Sequence, residues 1–123
     1  MFWLPRRADD GVRARRFLMR NGRQLAFDLV QHKEADVRGK GREAEDELAQ
    51  LAAFRATLER ERSSPHRVRD LAIRGDDLLA LGYRPGPELG RALQTLLHEV
   101  VGDPSLNTRE WLTGEARRLL GRA

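Results

Sequence analysis

At 123 residues, 40% of them hydrophobic and 34% charged, the chain can build one small domain or two small packed subdomains. It has no cysteine, which excludes a disulfide framework and thiolate metal ligation, and no apolar run long enough to span a bilayer or form a signal-peptide core, so a cytoplasmic protein is expected. The net charge of +4 is carried almost wholly by arginine, whose planar fork suits phosphate, and seven arginines fall within residues 1–27 against Asp9 and Asp10.

The first element follows Pro5. Ala8-Asp9-Asp10 offers N-cap carboxylates for a helix over about 11–20, with Ala14, Phe17 and Leu18 as its buried stripe. Arg13, Arg16 and Arg20 share another face and form a candidate phosphate-facing row, although charged faces are commonly solvated faces. Asn21-Gly22 reads as the stop. A second helix is expected over about 23–37, burying Leu25, Ala26, Leu29 and Val30, and it ends in the basic turn Gly39-Lys40-Gly41. That turn lacks the longer glycine-rich run and the Lys-Ser or Lys-Thr of a phosphate loop.

The third helix is expected over about 41–62, with a stripe of Leu48, Leu51, Ala52, Arg55 and Leu58 and a Phe54–Leu58 pair. Its acidic start (Glu43, Glu45, Asp46, Glu47) and basic end (Arg60, Arg62) complement the helix dipole. Ser63-Ser64-Pro65-His66 breaks the helix and marks the boundary between subdomains 1–62 and 63–123. Residues 67–73 fit a short helix or an extended segment equally well. Asp76 is the expected N-cap of a short helix that Gly82 stops as a left-handed residue. After a turn over 83–86, Pro87 sits at the first position of a helix to about Val101, with Leu89, Leu93, Leu96, Leu97 and Val100 on its apolar face. Gly102-Asp103-Pro104 ends it. Asn107 is the expected cap of the last helix, with Glu110 completing a capping box and Leu112, Ala116, Leu119 and Leu120 buried. No segment alternates apolar and polar residues over strand length. The fold class is therefore all-α, a small bundle of five to seven helices in two packed subdomains.

Catalytic signals are missing. Nucleotidyl transfer needs carboxylates alternating on a strand so that both reach one metal, whereas Asp9-Asp10 and Asp76-Asp77 are adjacent pairs at helix starts. His32, His66 and His98 are isolated, and His98-Glu99 lacks the second histidine of a zinc-protease helix. Binding signals are present at two helix starts. At Gly86-Pro87-Glu88-Leu89-Gly90, free N–H groups flanked by Arg84 and Arg91 could face a phosphate, or the Pro-Gly-Pro could simply turn the chain. At Asn107-Thr108-Arg109 a cap precedes a basic residue. Tyr83 and Trp111 suit stacking on an unpaired base or anchoring a small core.

Three motifs stand in order along the second half: Asp70-Leu71-Ala72-Ile73-Arg74-Gly75-Asp76-Asp77-Leu78, then Gly82-Tyr83-Arg84-Pro85-Gly86-Pro87-Glu88-Leu89-Gly90, then Leu106-Asn107-Thr108-Arg109-Glu110. With their spacing they resemble the C-terminal body and tail region of the bacterial CCA-adding enzymes, in the tRNA nucleotidyltransferase/poly(A) polymerase family. The resemblance continues upstream at lower specificity through Val12–Leu18, Asp28-Leu29, Glu34-Ala35-Asp36 and the Gly39–Gly41 turn, and so covers the chain from about Asp9. It implies an all-α, tRNA-contacting part that grips the tRNA body by its phosphates. The family's catalytic head, with its Gly-Ser motif and alternating aspartates, lies N-terminal to this region and has no counterpart in these residues. Nucleotide addition is therefore not expected of this chain by itself, and magnesium and CTP or ATP belong to that head, leaving no cofactor here. The motif residues the resemblance carries over are Gly75, Asp76, Gly82, Pro85, Gly86, Pro87, Gly90, Asn107, Thr108 and Arg109. The candidate RNA contacts are Gly86, Gly90, Asn107, Thr108 and Arg109 among these, with Arg74, Arg84, Arg91 and the row Arg13, Arg16 and Arg20 added for their charge. The implied partners are tRNA and a catalytic head in another chain. The alternative is a structural or oligomerisation domain whose helix over 87–101 packs on another chain; concentration-dependent mass with only non-specific RNA affinity would mark it.

Overall fold

The computed structural model describes residues 10–121, which form six α-helices and three short 3-10 turns between them, with no strand among the described residues. The chain divides into two compact units between Ser64 and Pro65.

In the first unit α1 (Asp10–Asn21) and α2 (Arg23–Arg38) both pack on α3 (Glu45–Arg60). Gly22 separates α1 from α2 at φ 82°, a left-handed value that glycine adopts without steric cost. Ala14, Leu18, Ala26, Val30, Phe54 and Leu58 form the core, where Phe17 meets Phe54 edge-to-face at 5.5 Å and 79°. A second cluster joins Val37, Ala44 and Leu51, with Leu48 packed on it. Arg15 is buried, and its Nη1 donates to Glu61 Oε1 at 2.8 Å, the same oxygen that accepts from Ser64 Oγ. This ties α1 to the segment after α3. The cap expected from Ala8 and Asp9 lies outside the described residues, as do Arg6 and Arg7.

Three expectations for this unit are corrected. Leu25 and Leu29 are 49% and 37% exposed; the buried face of α2 is Ala26, Val30, Glu34 and Val37. Each exposed leucine precedes a buried residue by one position and is turned about 100° from it. Ala52, one position after buried Leu51, is exposed for the same reason, the face of α3 being Leu51, Phe54, Thr57 and Leu58. The third helix begins at Glu45 rather than Gly41: a 3-10 turn over Gly41–Ala44 leads into it, and Gly41 enters that turn at φ 80°, a value glycine takes without steric cost.

The second unit opens with a 3-10 turn over Val68–Asp70, which resolves the ambiguous 67–73 segment, with Leu71 extended after it. Then come α4 (Gly75–Leu81), α5 (Pro87–Gly102), a 3-10 turn over Pro104–Leu106 and α6 (Arg109–Leu120). Gly82 ends α4 at φ 117°, and the paired bonds Gly82 N–H to Leu79 O and Tyr83 N–H to Leu78 O close the helix end. That turn sends Tyr83 inward, where its hydroxyl donates to Ala116 O at 2.8 Å. Burial, with Glu88 nearby, pushes the Tyr83 phenol up from its usual pKa. Ala92, Leu96, Leu97, Val100 and Val101 of α5 are buried, so its apolar face is occupied within this unit by α4 and α6. Leu89 and Leu93 are half-buried.

Both expected caps of this unit move by one or two positions. The backbone is still extended at Arg74 and turns helical at Gly75, so Asp76 lies inside α4; Asp77 closes the start by accepting the Arg74 N–H at 2.7 Å. Thr108 caps α6, its Oγ1 accepting the Trp111 N–H at 3.2 Å. Glu110 is then the second helical residue rather than the third, and cannot complete a capping box with Asn107.

Candidate nucleic-acid interface

In the second unit the first and third motifs meet. The Asp70 carboxylate accepts the Arg67 fork, Nε on Oδ2 and Nη2 on Oδ1, both at 3.1 Å, and the backbone N–H groups of Arg67 and His66. Burial alone would raise the Asp70 pKa, but these bonds outweigh it and hold the group below the usual carboxylate range. Asn107 spans to the same segment: its Nδ2 donates to Asp70 O at 2.9 Å and its Oδ1 accepts the Ala72 N–H at 2.8 Å. Arg74 Nη1 donates to the carbonyls of Arg69 and Leu71, each at 2.9 Å. Asp77 takes the Arg74 N–H on one oxygen and Arg109 Nη2, at 2.7 Å, on the other. The Arg74 N–H first, then Arg109, lower the Asp77 pKa.

These bonds make a clasp between residues 66–77 and the start of α6. Of the expected RNA contacts, Arg74, Asn107 and Arg109 are brought together here, and each already has protein partners. The amide of Asn107 is engaged at both ends. Arg109 keeps 70% of its side chain exposed, so it carries positive charge at the surface beside the clasp. Asp70 and Asp77 went unread as partners in the sequence. Their signal was there: each follows an arginine by three residues, Arg67 and Arg74, a spacing that brings side chains together over one turn.

A second group lies at the start of α5. Arg84, Gly86, Gly90 and Arg91 are all exposed. Gly86 has φ 134° and ψ −161°, a backbone state open essentially to glycine, and α5 has no side-chain cap. The first-turn N–H groups of α5, those of Glu88 and Leu89 since Pro87 has none, are therefore not satisfied by a cap. Arg84 and Arg91 stand either side of them in the sequence with no ion pair among the described residues, while Glu88 sets one negative charge in the same turn. Behind Arg91 a groove of about 230 Å³ is lined by Tyr83, Glu88, Ala92, Thr95 and Leu119. Residues 65–123 hold nine arginines against eight carboxylates, so the positive charge of this unit is local to such patches. Tyr83 is 5% exposed and anchors the core, the second of the two roles its sequence allows. Trp111 is half-buried.

The third group, Arg13, Arg16 and Arg20, belongs to the first unit and lies exposed along α1, while Arg15 of the same helix turns inward to Glu61. Among the described residues no group of three or more His, Asp or Glu side chains is placed to hold a metal ion, and no helix is long and apolar enough to cross a membrane.

An all-α unit in which the three motifs build a clasp and a basic helix start defines the class. Residues 41–116, more than half of the chain, match the family described as "tRNA nucleotidyltransferase domain 2 putative", and the chain belongs to that family. It is also similar to the CCA-adding enzyme of Limosilactobacillus fermentum (strain NBRC 3956 / LMG 18251), 41% identical over 51 residues, which is 42% of this chain and 13% of that protein. The CCA-adding enzyme of Latilactobacillus sakei subsp. sakei (strain 23K) is 48% identical over 48 residues, 39% of this chain and 12% of that protein. The matched stretches thus span about an eighth of the relatives' length. No solved structure matches the chain.

Proposed function

We propose that this chain is the RNA-contacting part of a CCA-adding, tRNA nucleotidyltransferase-like protein, acting in the cytoplasm, and that it holds the tRNA body through backbone phosphates. A head that transfers nucleotides, with its magnesium and CTP or ATP, lies outside these residues. The observation that carries the reading is the start of α5: an uncapped helix N-terminus between two exposed arginines, Arg84 and Arg91, with glycine at Gly86 and Gly90 leaving the backbone open to close approach. Arg109 and the α1 row Arg13, Arg16 and Arg20 supply further charge on their own units. Such contacts position RNA without reading bases, so binding depends steeply on salt and little on sequence.

The test is binding of the chain to full-length tRNA and to an acceptor-stem hairpin across a salt series. The expected result is tighter binding to the whole tRNA, and a fall of about two in the salt slope for the Arg84→Ala, Arg91→Ala double variant. Equal binding to any duplex, unmoved by the double variant, would leave a structural domain. The reading of α5 as a docking face for another chain is disfavoured by the burial of its apolar residues inside their own unit.

A further inference from the structure

We infer that the groove between the start of α2 and the end of α3 seats one phosphodiester of the bound RNA, gripped by Arg23 and Arg62; this rests on the RNA-binding reading above. The groove has a volume of about 400 Å³ and is lined by Arg23, Gln24, Phe27, Glu59 and Arg62, none of which belongs to the motifs or to the α1 row. The lining is already arranged for an anion. Arg23 Nε is buried and has no hydrogen-bond partner. A buried donor on a charged group is costly to leave unmet, so the Arg23 head gains by turning into the groove, where an anionic oxygen meets the donor with a charge-assisted bond.

Arg62 is held from two sides. Its guanidinium stands 5.4 Å over the Phe27 ring, and its Nη1 is 3.6 Å from Glu59 Oε2. At that distance Glu59 attracts the guanidinium without forming a good hydrogen bond, so the donor fork of Arg62 stays open to an acceptor. Gln24, also in the lining, has its Nε2 engaged, donating to Asp28 Oδ1 at 3.1 Å. No acidic residue lies in the first turn of α2 to repel a ligand. Two guanidiniums and one carboxylate leave the lining with a single net positive charge. That balances the one negative charge of a phosphodiester better than the two of a terminal phosphate, and the groove is roomier than a bare phosphate needs, leaving space for flanking sugars.

The experiment follows the Arg23 Nε–H by NMR in the full chain as tRNA is added, with salt-dependent tRNA affinity measured for Arg23→Lys, Arg62→Gln and the double variant. Circular dichroism of each variant checks the fold. The expected result is a shift of the Arg23 Nε–H on tRNA addition, with each single variant several-fold weaker. The charge-removing Arg62→Gln also lowers the salt slope by up to about 0.9, whereas Arg23→Lys, which keeps its charge, leaves the slope unchanged. Because both arginines grip one phosphate, the double variant loses little more than either single one. Wild-type binding with an unmoved Nε–H and unchanged variants would overturn the groove while leaving the RNA-binding reading intact. Additive losses would overturn the single shared phosphate. A wild-type chain that binds tRNA no better than any duplex would overturn the reading and the groove together.

Discussion

Asn107 uses one amide to satisfy two backbone groups of a segment more than thirty residues away, the Asp70 carbonyl and the Ala72 N–H. Replacing it with alanine removes both bonds, and at the net worth of a hydrogen bond this costs about 1–3 kcal/mol. Asn107→Asp keeps the acceptor for Ala72 but sets a charge against the Asp70 carbonyl, so it too destabilises. Urea unfolding reads the effect as a lowered midpoint at unchanged slope. An unaltered midpoint for both variants would mean that the clasp is not held by this amide. Arg74 and Arg109 make the same point in weaker form. Their positions in the motifs suggested RNA contacts, and the structure gives each of them a protein acceptor first. Nothing in the local sequence around Asn107 distinguishes a helix cap from a long-range tie, because the choice depends on which backbone lies opposite.

Helix positions followed from glycine, proline and apolar spacing, and helix faces followed less well. Gly22, Gly82, Gly86 and Pro87 stand at the element boundaries expected of them. On α2, however, the leucines suggested a face that the packing rejects, since α1 and α3 settle on the neighbouring alanine and valines. Changing Leu25 and Leu29 together to glutamine is therefore expected to shift stability by no more than about 0.5 kcal/mol, as surface substitutions do. Leu58→Ala, at a fully buried position, is expected to cost about 2–5 kcal/mol. Thermal or urea unfolding of the two variants side by side checks the contrast. A large loss from the α2 pair would show that those leucines are covered in solution.

Each half of the molecule has its own buried core, and the chain divides at Ser64 and Pro65. Residues 65–123 by themselves are expected to give a helical circular dichroism spectrum and a cooperative, low-lying melt, because a unit of about 60 residues buries only some 60% of the surface its unfolded chain exposes. A featureless spectrum would show that the clasp and the α4–α6 core cannot sustain the unit.

Composition, the absence of strand alternation and the turn residues determined the all-α class and the rough helix order, because those signals are local and act over one or two turns. The three motifs pointed to the family before any contact was known. Only the tertiary structure decided which helix face is buried, that Thr108 rather than Asn107 caps α6, and which arginines are held by carboxylates or carbonyls. Those outcomes depend on what lies across the fold from each side chain, and spacing along the chain carries no record of that.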